Sequence, residues 1–422
     1  MDTDALDEFA RRVLNSEVGD VQRLSGGASM ESWKFGAGGA EYVLRRLPEG
    51  APAQAAINGL PLSTEAEVIR LARRHGVSAP EIVAELDPQD GLGTGYVMRA
   101  IAGETLPRRI LGQPAYAEAD LVQGCARELA RIHAVPTAEV AARLEGEPPD
   151  RMVADLRELH DASGAAIPTF AMALDWLASN TPGDVEPRLL HGDFRMGNLM
   201  ITPDGIAGVL DWELTHLGDP AQDIGFLCAP SWRFGYWEHE VGGFGDLQDF
   251  LSAYREAGGE DISPERVRFW EVYSSLWWGL VCVQMVELWR SGTVRTLERP
   301  VIGTRVSETE IDLLLLLDAG EQPKFRFPSS ETPNPKGATE PHELLEALGE
   351  WTGELIDATS GHAKFEARIA RNALGIVERH LTHGPAPEVT DLVSLRRNVM
   401  HRVRIEQPRY AGLRVAEERW TL

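Results

Sequence analysis

LLHGDFRMGNLMITPDGIAGVLDWELTHLGDPAQDIGF, residues 189–226, decides how the rest of the chain reads. Gly192 and Gly197 interrupt both helical and strand periodicity, so HGDFRMGN is a loop. Apolar runs at 199–201 and 206–210 flank Pro203-Asp204-Gly205, which reads as a hairpin turn. Asp211 then leaves the second strand folded back beside the loop that carries Asp193 and Asn198. The order is an acid, an amide, and a second acid at the end of an apolar run. In phosphoryl transfer one Asp receives the proton of the attacking hydroxyl, while an Asn and another Asp hold magnesium on the nucleotide phosphates. Asp193 is therefore the expected base. Asn198 and Asp211 are the expected oxygen ligands of Mg²⁺. Arg195, on the same loop, is expected to neutralise charge on the transferred group. His191 is read as ordering the loop. Asp219 caps the helix opened by Gly218-Asp219-Pro220, and Asp223 braces the loop through backbone N–H groups. Asp and Asn in glycine-containing loops are otherwise ordinary turn residues; the order of these three, with what lies upstream, sets them apart.

Upstream, residues 4–14 carry apolar side chains at helical spacing, and 21–24, 31–35 and 41–46 read as strands. Between the first two strands, Gly26, Gly27, Ala28 and Ser29 are small enough for backbone N–H groups to approach a phosphate chain; a Gly-Gly hairpin turn is the plain alternative. YVLRR on the third strand offers the cation that a nucleotide's phosphates need. Alternation sends Arg45 and Arg46 to opposite faces, with Arg45 favoured for the cleft. The following helix is expected to start near Ser63 with Ser63-Thr64-Glu65 as its cap, and Glu65 or Glu67 to pair with the cation, Glu65 being favoured. Strands are expected at 82–86 and 95–101, where the backbone from Arg99 to Ile101 could hydrogen-bond adenine.

After Gly103 the texture becomes helical, with periodic segments at 121–133, 153–159, 169–177, 246–257, 264–290 and 304–317. His133 is read as a packed histidine. Trp232 and Trp237 lie on a loop that either lines an acceptor pocket or packs at the surface. Residues 319–339, rich in Pro, Ser and Thr, form a linker. Beyond it, two amphipathic helices at 341–381 and a third at 392–404 make an all-α module whose arginines read as a solvated or salt-bridged face. The domain organisation is thus 1–102, a nucleotide-binding lobe; 103–320, a helical catalytic lobe; 321–340, a linker; and 341–422, a helical domain.

HGDFRMGNLM and VLDWELTHLGDPAQDIGF resemble the aminoglycoside phosphotransferase and choline kinase group of small-molecule kinases. The likeness is greatest to the kinase-like domain fused to some acyl-CoA dehydrogenases. YVLRRLP, GYVMRAIAGETL and IGTRVSETEIDLLL share that resemblance, which covers roughly residues 1–320. It implies a bilobal protein-kinase-like α+β fold, a small antiparallel β lobe plus a mainly helical one, and ATP- and Mg²⁺-dependent O-phosphorylation of a small molecule. By the same resemblance Asp193 matches the base, Asn198 and Asp211 the Mg²⁺ ligands, Arg45 the nucleotide-binding cation and Glu65 its helix acid. Arg45 departs from the Lys of the antibiotic-modifying members, and a planar fork is not equivalent to an ammonium. The acceptor implied is a hydroxy acid or its CoA thioester, with an aminoglycoside or a non-catalytic nucleotide-binding scaffold as alternatives. The C-terminal module is similar to an uncharacterised bacterial helical domain.

A net charge of −24 disfavours nucleic acid and anionic membrane as partners. The most apolar window, 272–286, is shorter than the roughly 18–20 residues a bilayer needs and reads as a core helix. The start of the chain is acidic and amphipathic rather than basic and then apolar, so no export signal is read there. Cys125, Cys228 and Cys282 carry no paired-cysteine motif and read as buried thiols, which suits a cytoplasmic protein. A homodimer is compatible with these features.

Overall fold

Alternation along the third strand organises the N-terminal part of the molecule. In the computed structural model, which describes residues 2–24, 30–48, 59–116, 119–165, 167–183, 185–293, 298–318 and 341–420, the chain opens with α1 (Thr3–Leu14), β1 (Val18–Arg23), β2 (Glu31–Ala37) and β3 (Ala40–Leu47). Then come α2 (Leu62–Arg74), β4 (Ile82–Glu85), β5 (Thr94–Arg99), α3 (Pro107–Gly112), α4 (Leu121–His133), α5 (Pro149–Ser163) and α6 (Pro168–Ser179). The central stretch supplies β6 (Arg188–Leu190), β7 (Leu199–Thr202), β8 (Gly205–Val209), β9 (His216–Gly218) and α7 (Pro220–Cys228). Helices α8 (Leu247–Glu256), α9 (Pro264–Arg290), α10 (Glu298–Gly303) and α11 (Val306–Leu316) follow. The chain ends with α12 (Pro341–Ala358), α13 (Gly361–His383), α14 (Leu392–Glu406) and α15 (Ala411–Arg419). Gly26, Gly27, Ala28 and Ser29, read above as a phosphate loop, lie outside the described residues, as does the linker 321–340.

The fold is α+β and protein-kinase-like, and the chain divides into two compact units. One comprises 1–148, 183–227 and 244–267; the other comprises 149–182, 228–243 and 268–422. The division falls inside α9, after Val267.

In the first unit, an antiparallel sheet of order β1-β2-β3-β5-β4 carries α1 on one face. Leu6 and Phe9 of α1 bury against Phe35, Tyr42, Leu44 and Val97. Tyr42 and Leu44 therefore point into that core, and Val43 and Arg45 point the other way. Arg46, on the α1 side of the alternation, donates to Glu31 and to the Leu92 carbonyl. Helix α2 begins at Leu62, one residue before Ser63, with Pro61 at the cap and no side-chain capping bond, which corrects the expected Ser63 cap. The apolar face of α2, including Leu62, Ala66, Val68 and Ile69, sets its start, since burying that face outweighs a single cap bond. Two small antiparallel pairs, β6–β9 and β7–β8, frame the central loop.

The second unit is helical. Within it, α11 is buried on every side, polar residues included. Ile311, Leu314 and Leu315 of α11 share a core with Leu395, Val399, Met400 and Val403 of α14 and Leu413, Ala416 and Trp420 at the chain's end. Helix α15, not foreseen in the sequence, follows the break at Gln407-Pro408 and adds to this core. Arg396 pairs with Asp318, Arg402 with Glu310 and Arg404 with Glu417, so much of the basic face of α14 is salt-bridged. Trp232 packs on Trp278 at 5.2 Å between ring centroids, and Arg233 lies 4.9 Å over the Trp237 ring, so both tryptophans are packed side chains. The apolar window of α9 contributes the buried Val272, Leu276, Leu280 and Cys282. Among the described residues, no helix is long and apolar enough to cross a membrane.

Candidate active site

The loop after β6 turns sharply at Gly192. Its φ is +82°, and a Cβ there would stand 2.1 Å from the Leu214 carbonyl oxygen, so only glycine fits. Asp223, fully buried on α7, accepts from the His191 N–H at 2.8 Å and the Gly192 N–H at 2.9 Å. The His133 ring lies 3.1 Å from the same carboxylate and 2.7 Å from the Tyr254 hydroxyl. Burial pushes the Asp223 carboxyl up, but the His133 hydrogen bond and charge and the His191 bonds outweigh it and hold it below its ordinary value. The loop is thus fastened from behind by an ionised carboxylate. His133, passed over in the sequence as a packed histidine, belongs to this brace. Its only sequence signal is a position at the end of an amphipathic helix, which many histidines share.

His191 ties the front of the loop to the end of β8. The Asp193 N–H donates to its Nδ1 at 3.2 Å, and its Nε2 donates to the Leu210 carbonyl at 3.0 Å. Burial lowers its pKa more than the surrounding carboxylates raise it, consistent with a neutral ring that accepts at one nitrogen and donates at the other. The ring packs on Trp212 at 4.8 Å.

Asp193 follows. Its Oδ1 accepts from Arg195 Nε at 2.9 Å, and its Oδ2 accepts from Asn198 Nδ2 at 2.5 Å. Burial pushes the carboxyl up, Arg195 pulls it down, Asp211 pushes it further up, and the net effect is a raised pKa. Because Asn198 donates its amide to Asp193, its carbonyl oxygen remains an acceptor. A backbone bond from the Leu210 N–H to the Asn198 carbonyl, 2.8 Å, continues the β7–β8 ladder and sets Asp211 beside the loop. Asp211 has φ +65°, the left-handed region, where a non-glycine residue is uncommon and is often found at functional sites.

Facing Asp211 is Arg45 of β3. Its Nε lies 3.3 Å from Glu65 Oε1, while its Nη2 lies 2.9 Å from Asp211 Oδ1 and 2.6 Å from Glu213 Oε2. Burial pushes the guanidinium's pKa down, and Asp211 and Glu65 more than offset it, so it stays charged. Glu65 is buried in α2, whereas Glu67 sits at the surface paired with Arg143, so burial separates the two candidates. Glu213 was not singled out in the sequence, although it stands two residues after Asp211. Burial, with Asp211 adding to it, pushes its carboxyl up to about 7.

At the far end of β5, the Arg99 N–H donates to the Glu81 carbonyl and the Ala100 N–H to the Glu41 carbonyl. The Arg99 side chain pairs with Glu81 and lies 5.4 Å over the Tyr42 ring. Among the described residues, Ile101 makes no backbone–backbone hydrogen bond outside the regular elements. Asp193, Arg195, Asn198, Asp211, Arg45 and Glu65 are brought together; Arg99 ends β5, and the Ile101 side chain lies against Gly208 of β8.

An antiparallel sheet with a cation–acid pair to α2, a helix-braced loop bearing an acid and an amide, and an acid at the end of a following hairpin define a protein-kinase-like fold. The sequence profile of the Phosphotransferase enzyme family matches residues 20–269, and the chain belongs to that family. A second profile, Domain of unknown function (DUF6285), matches residues 357–393. Among curated proteins, the chain is 28% identical over 252 residues to Acyl-CoA dehydrogenase family member 11 of Gallus gallus, covering 57% of this chain and 32% of that protein. It is 26% identical over 242 residues to Acyl-CoA dehydrogenase family member 10 of Mus musculus, covering 53% and 22%. The chain thus spans a third or less of the length of these relatives. Among solved structures, a putative aminoglycoside phosphotransferase from Ralstonia eutropha superposes with a TM-score of 0.58 at 21% identity, covering 75% of this chain and 98% of the other. An aminoglycoside phosphotransferase in ternary complex with ADP and hygromycin B gives 0.50 at 18%, covering 75% of this chain and 99% of the other.

Kinases of this family use ATP with Mg²⁺. The donor set here fits that ion. Asp211 Oδ1 is buried, near Arg45 but accepting no well-formed hydrogen bond, and Asn198 has a free carbonyl oxygen. Mg²⁺ takes one or two such protein oxygens and fills its remaining positions with phosphate and water. No group of three or more His, Cys, Asp or Glu suited to a metal occurs among the described residues, so a dedicated all-protein cage is not what these residues form.

Proposed function

We propose that the protein is an ATP-dependent small-molecule kinase that phosphorylates a hydroxyl. The observation that carries this reading is the convergence of Asp193, Asn198 and Asp211 with the buried Arg45–Glu65 pair in one unit. Asp193 orients the acceptor hydroxyl and takes its proton on a carboxylate oxygen. Each of its oxygens already accepts one hydrogen bond and keeps a second lone pair. Burial raises its basicity, and the Arg195 guanidinium beside it opposes that rise; that Arg can also turn toward a transferring phosphoryl group. Asn198 and Asp211 hold the magnesium through their oxygens, and Arg45, oriented by Glu65, holds nucleotide phosphate. Bound Mg²⁺-ATP supplies the phosphoryl group and neutralises the charge that develops on it. Small residues at Gly26–Ser29 and the backbone of Ile101 complete the nucleotide site in this reading.

For the acceptor we favour a hydroxy acid or its CoA thioester, because the curated relatives are named as acyl-CoA dehydrogenase family members. Three buried cysteines suit a reducing compartment such as the cytoplasm. The test is an ATP-consumption screen over hydroxy acids, their CoA thioesters, sugars, amino alcohols and aminoglycosides. Turnover confined to the first two classes supports the full reading, and turnover with aminoglycosides alone replaces the acceptor. No turnover with any class, together with retained nucleotide binding, makes the protein a nucleotide-binding scaffold.

A further inference from the structure

Arg45 pairs with Glu65, Asp211 and Glu213, so three carboxylates surround one guanidinium. They do not surround it evenly. Glu65 is 1% exposed and faces Nε, on the α2 side. The Asp211 and Glu213 side chains are 28% and 30% exposed, and both sit on Nη2. Glu213 makes the shorter contact, 2.6 Å against 2.9 Å, as a charge-assisted hydrogen bond. Its backbone is also anchored: the Leu60 N–H, just ahead of α2, donates to the Glu213 carbonyl at 2.8 Å. The side chain is therefore presented to Arg45 from a fixed point.

Resting on the kinase reading, we infer that Glu213 is a resident counter-ion that occupies the phosphate-facing end of Arg45 and must be displaced when a nucleoside polyphosphate binds. A phosphate oxygen and the Glu213 carboxylate are both anions that hydrogen-bond the same Nη2, and like charges that close repel. Glu213 thus sets nucleotide affinity through competition, and it makes binding depend on a cation that offsets the surplus of carboxylates. Glu65 keeps its place on Nε throughout.

The experiment is calorimetric titration of ADP into the full chain, with Mg²⁺ and with EDTA. Glu213→Gln keeps the shape and removes the charge. It is expected to bind ADP in EDTA on the order of tenfold tighter than the wild type. Glu213→Ala is expected to change affinity in the same direction, and melting curves on both variants establish that they are folded. Adding Arg45→Gln to Glu213→Gln is expected to abolish the gain, because the competition runs through that guanidinium. If wild type binds Mg²⁺-ADP and Glu213→Gln binds ADP in EDTA no tighter, the inference falls and the kinase reading stands. Weaker binding by Glu213→Gln seen only with Mg²⁺ also overturns it, since Glu213 would then be a metal-facing group. If wild type binds no nucleotide in either buffer, the kinase reading itself fails.

Discussion

Two of the buried charge clusters among the described residues, one in each unit, are built on opposite plans. Around Arg45, three carboxylates converge on one guanidinium, and two of them remain part-exposed. Along α11, each acid has its own donor. Glu308 pairs with Arg305 at 2.8 Å, Glu310 with Arg402 and with Thr169 at 3.2 Å, and Asp312 with Tyr410 and with Ser231 at 3.2 Å. Glu310 and Asp312 have no exposed surface. The second cluster is closed, and each acid meets a hydrogen-bond donor inside the protein. The first is open and carries a surplus of negative charge that something from outside must meet. Buried charge alone therefore does not mark a functional site; charge left unmatched at an accessible end does.

The contrast can be broken most forcefully at Asp193, which belongs to the open side. Asp193→Asn is expected to lower turnover by about 10²–10⁴-fold while nucleotide binding persists. Single-turnover kinetics beside calorimetry would measure both, and undiminished turnover would remove Asp193 as the base.

The closed cluster is probed at Arg402. Arg402→Met strands the carboxylate of Glu310 without its cation and is expected to cost about 3 kcal/mol in urea unfolding. Pairing it with Glu310→Met should recover most of that loss, because two apolar groups leave no charge buried. An unchanged midpoint for the single variant would show that the pair contributes nothing to stability.

A ligand-dependent difference comes next. Saturating Mg²⁺-ATP at about 100 times Kd should stabilise the wild type by about 2.7 kcal/mol. Asp211→Asn should lose the Mg²⁺-dependent part of the thermal shift, whereas Arg402→Met should keep it. An Asp211→Asn protein with the full Mg²⁺-dependent shift would dismiss the metal assignment.

A further prediction concerns pH. Burial pushes the Glu406 carboxyl up to about 7, against about 4.3 for an unperturbed Glu. Since the folded value is the higher, the stabilisation is fully present below about 4.3 and is lost as pH rises to about 7. Glu406→Gln should flatten the stability profile over that interval. A wild-type profile level across it would contradict the buried, proton-retaining Glu406.

Local signals carried a good deal of this. HGDFRMGN could only be a loop, and the Asp204-Gly205 turn returns Asp211 toward it, so Asp193, Asn198 and Asp211 are near one another in sequence logic as well as in space. The alternation of β3 separated Arg45 from Arg46. Other features had no local signature. Glu65 and Glu67 are both acids in the first turns of α2, and what distinguishes them in space is that one is buried against Arg45 while the other meets Arg143. Glu213 resembles any acid after a strand. His133 joins Asp223 and Tyr254 from helices far apart in the chain. The acids of α11 meet Arg402 and Tyr410, which return to them from more than 90 residues downstream.

By itself, then, the sequence determined the order of the main elements, the loop pattern from His191 to Asn198, and that Arg45 and Arg46 stand on opposite faces of their strand. These follow from periodicity, turn chemistry and spacing, all of which act over a few residues. Only the tertiary structure decided which acid meets Arg45, that Glu213 shares its Nη2 with Asp211, and that α14 and α15 close over α11. Pairing of charges depends on burial and on a few ångströms of separation, and neither quantity is encoded at any single position. Residues that are interchangeable along the chain stop being so once the fold has assigned each a dielectric and a neighbour.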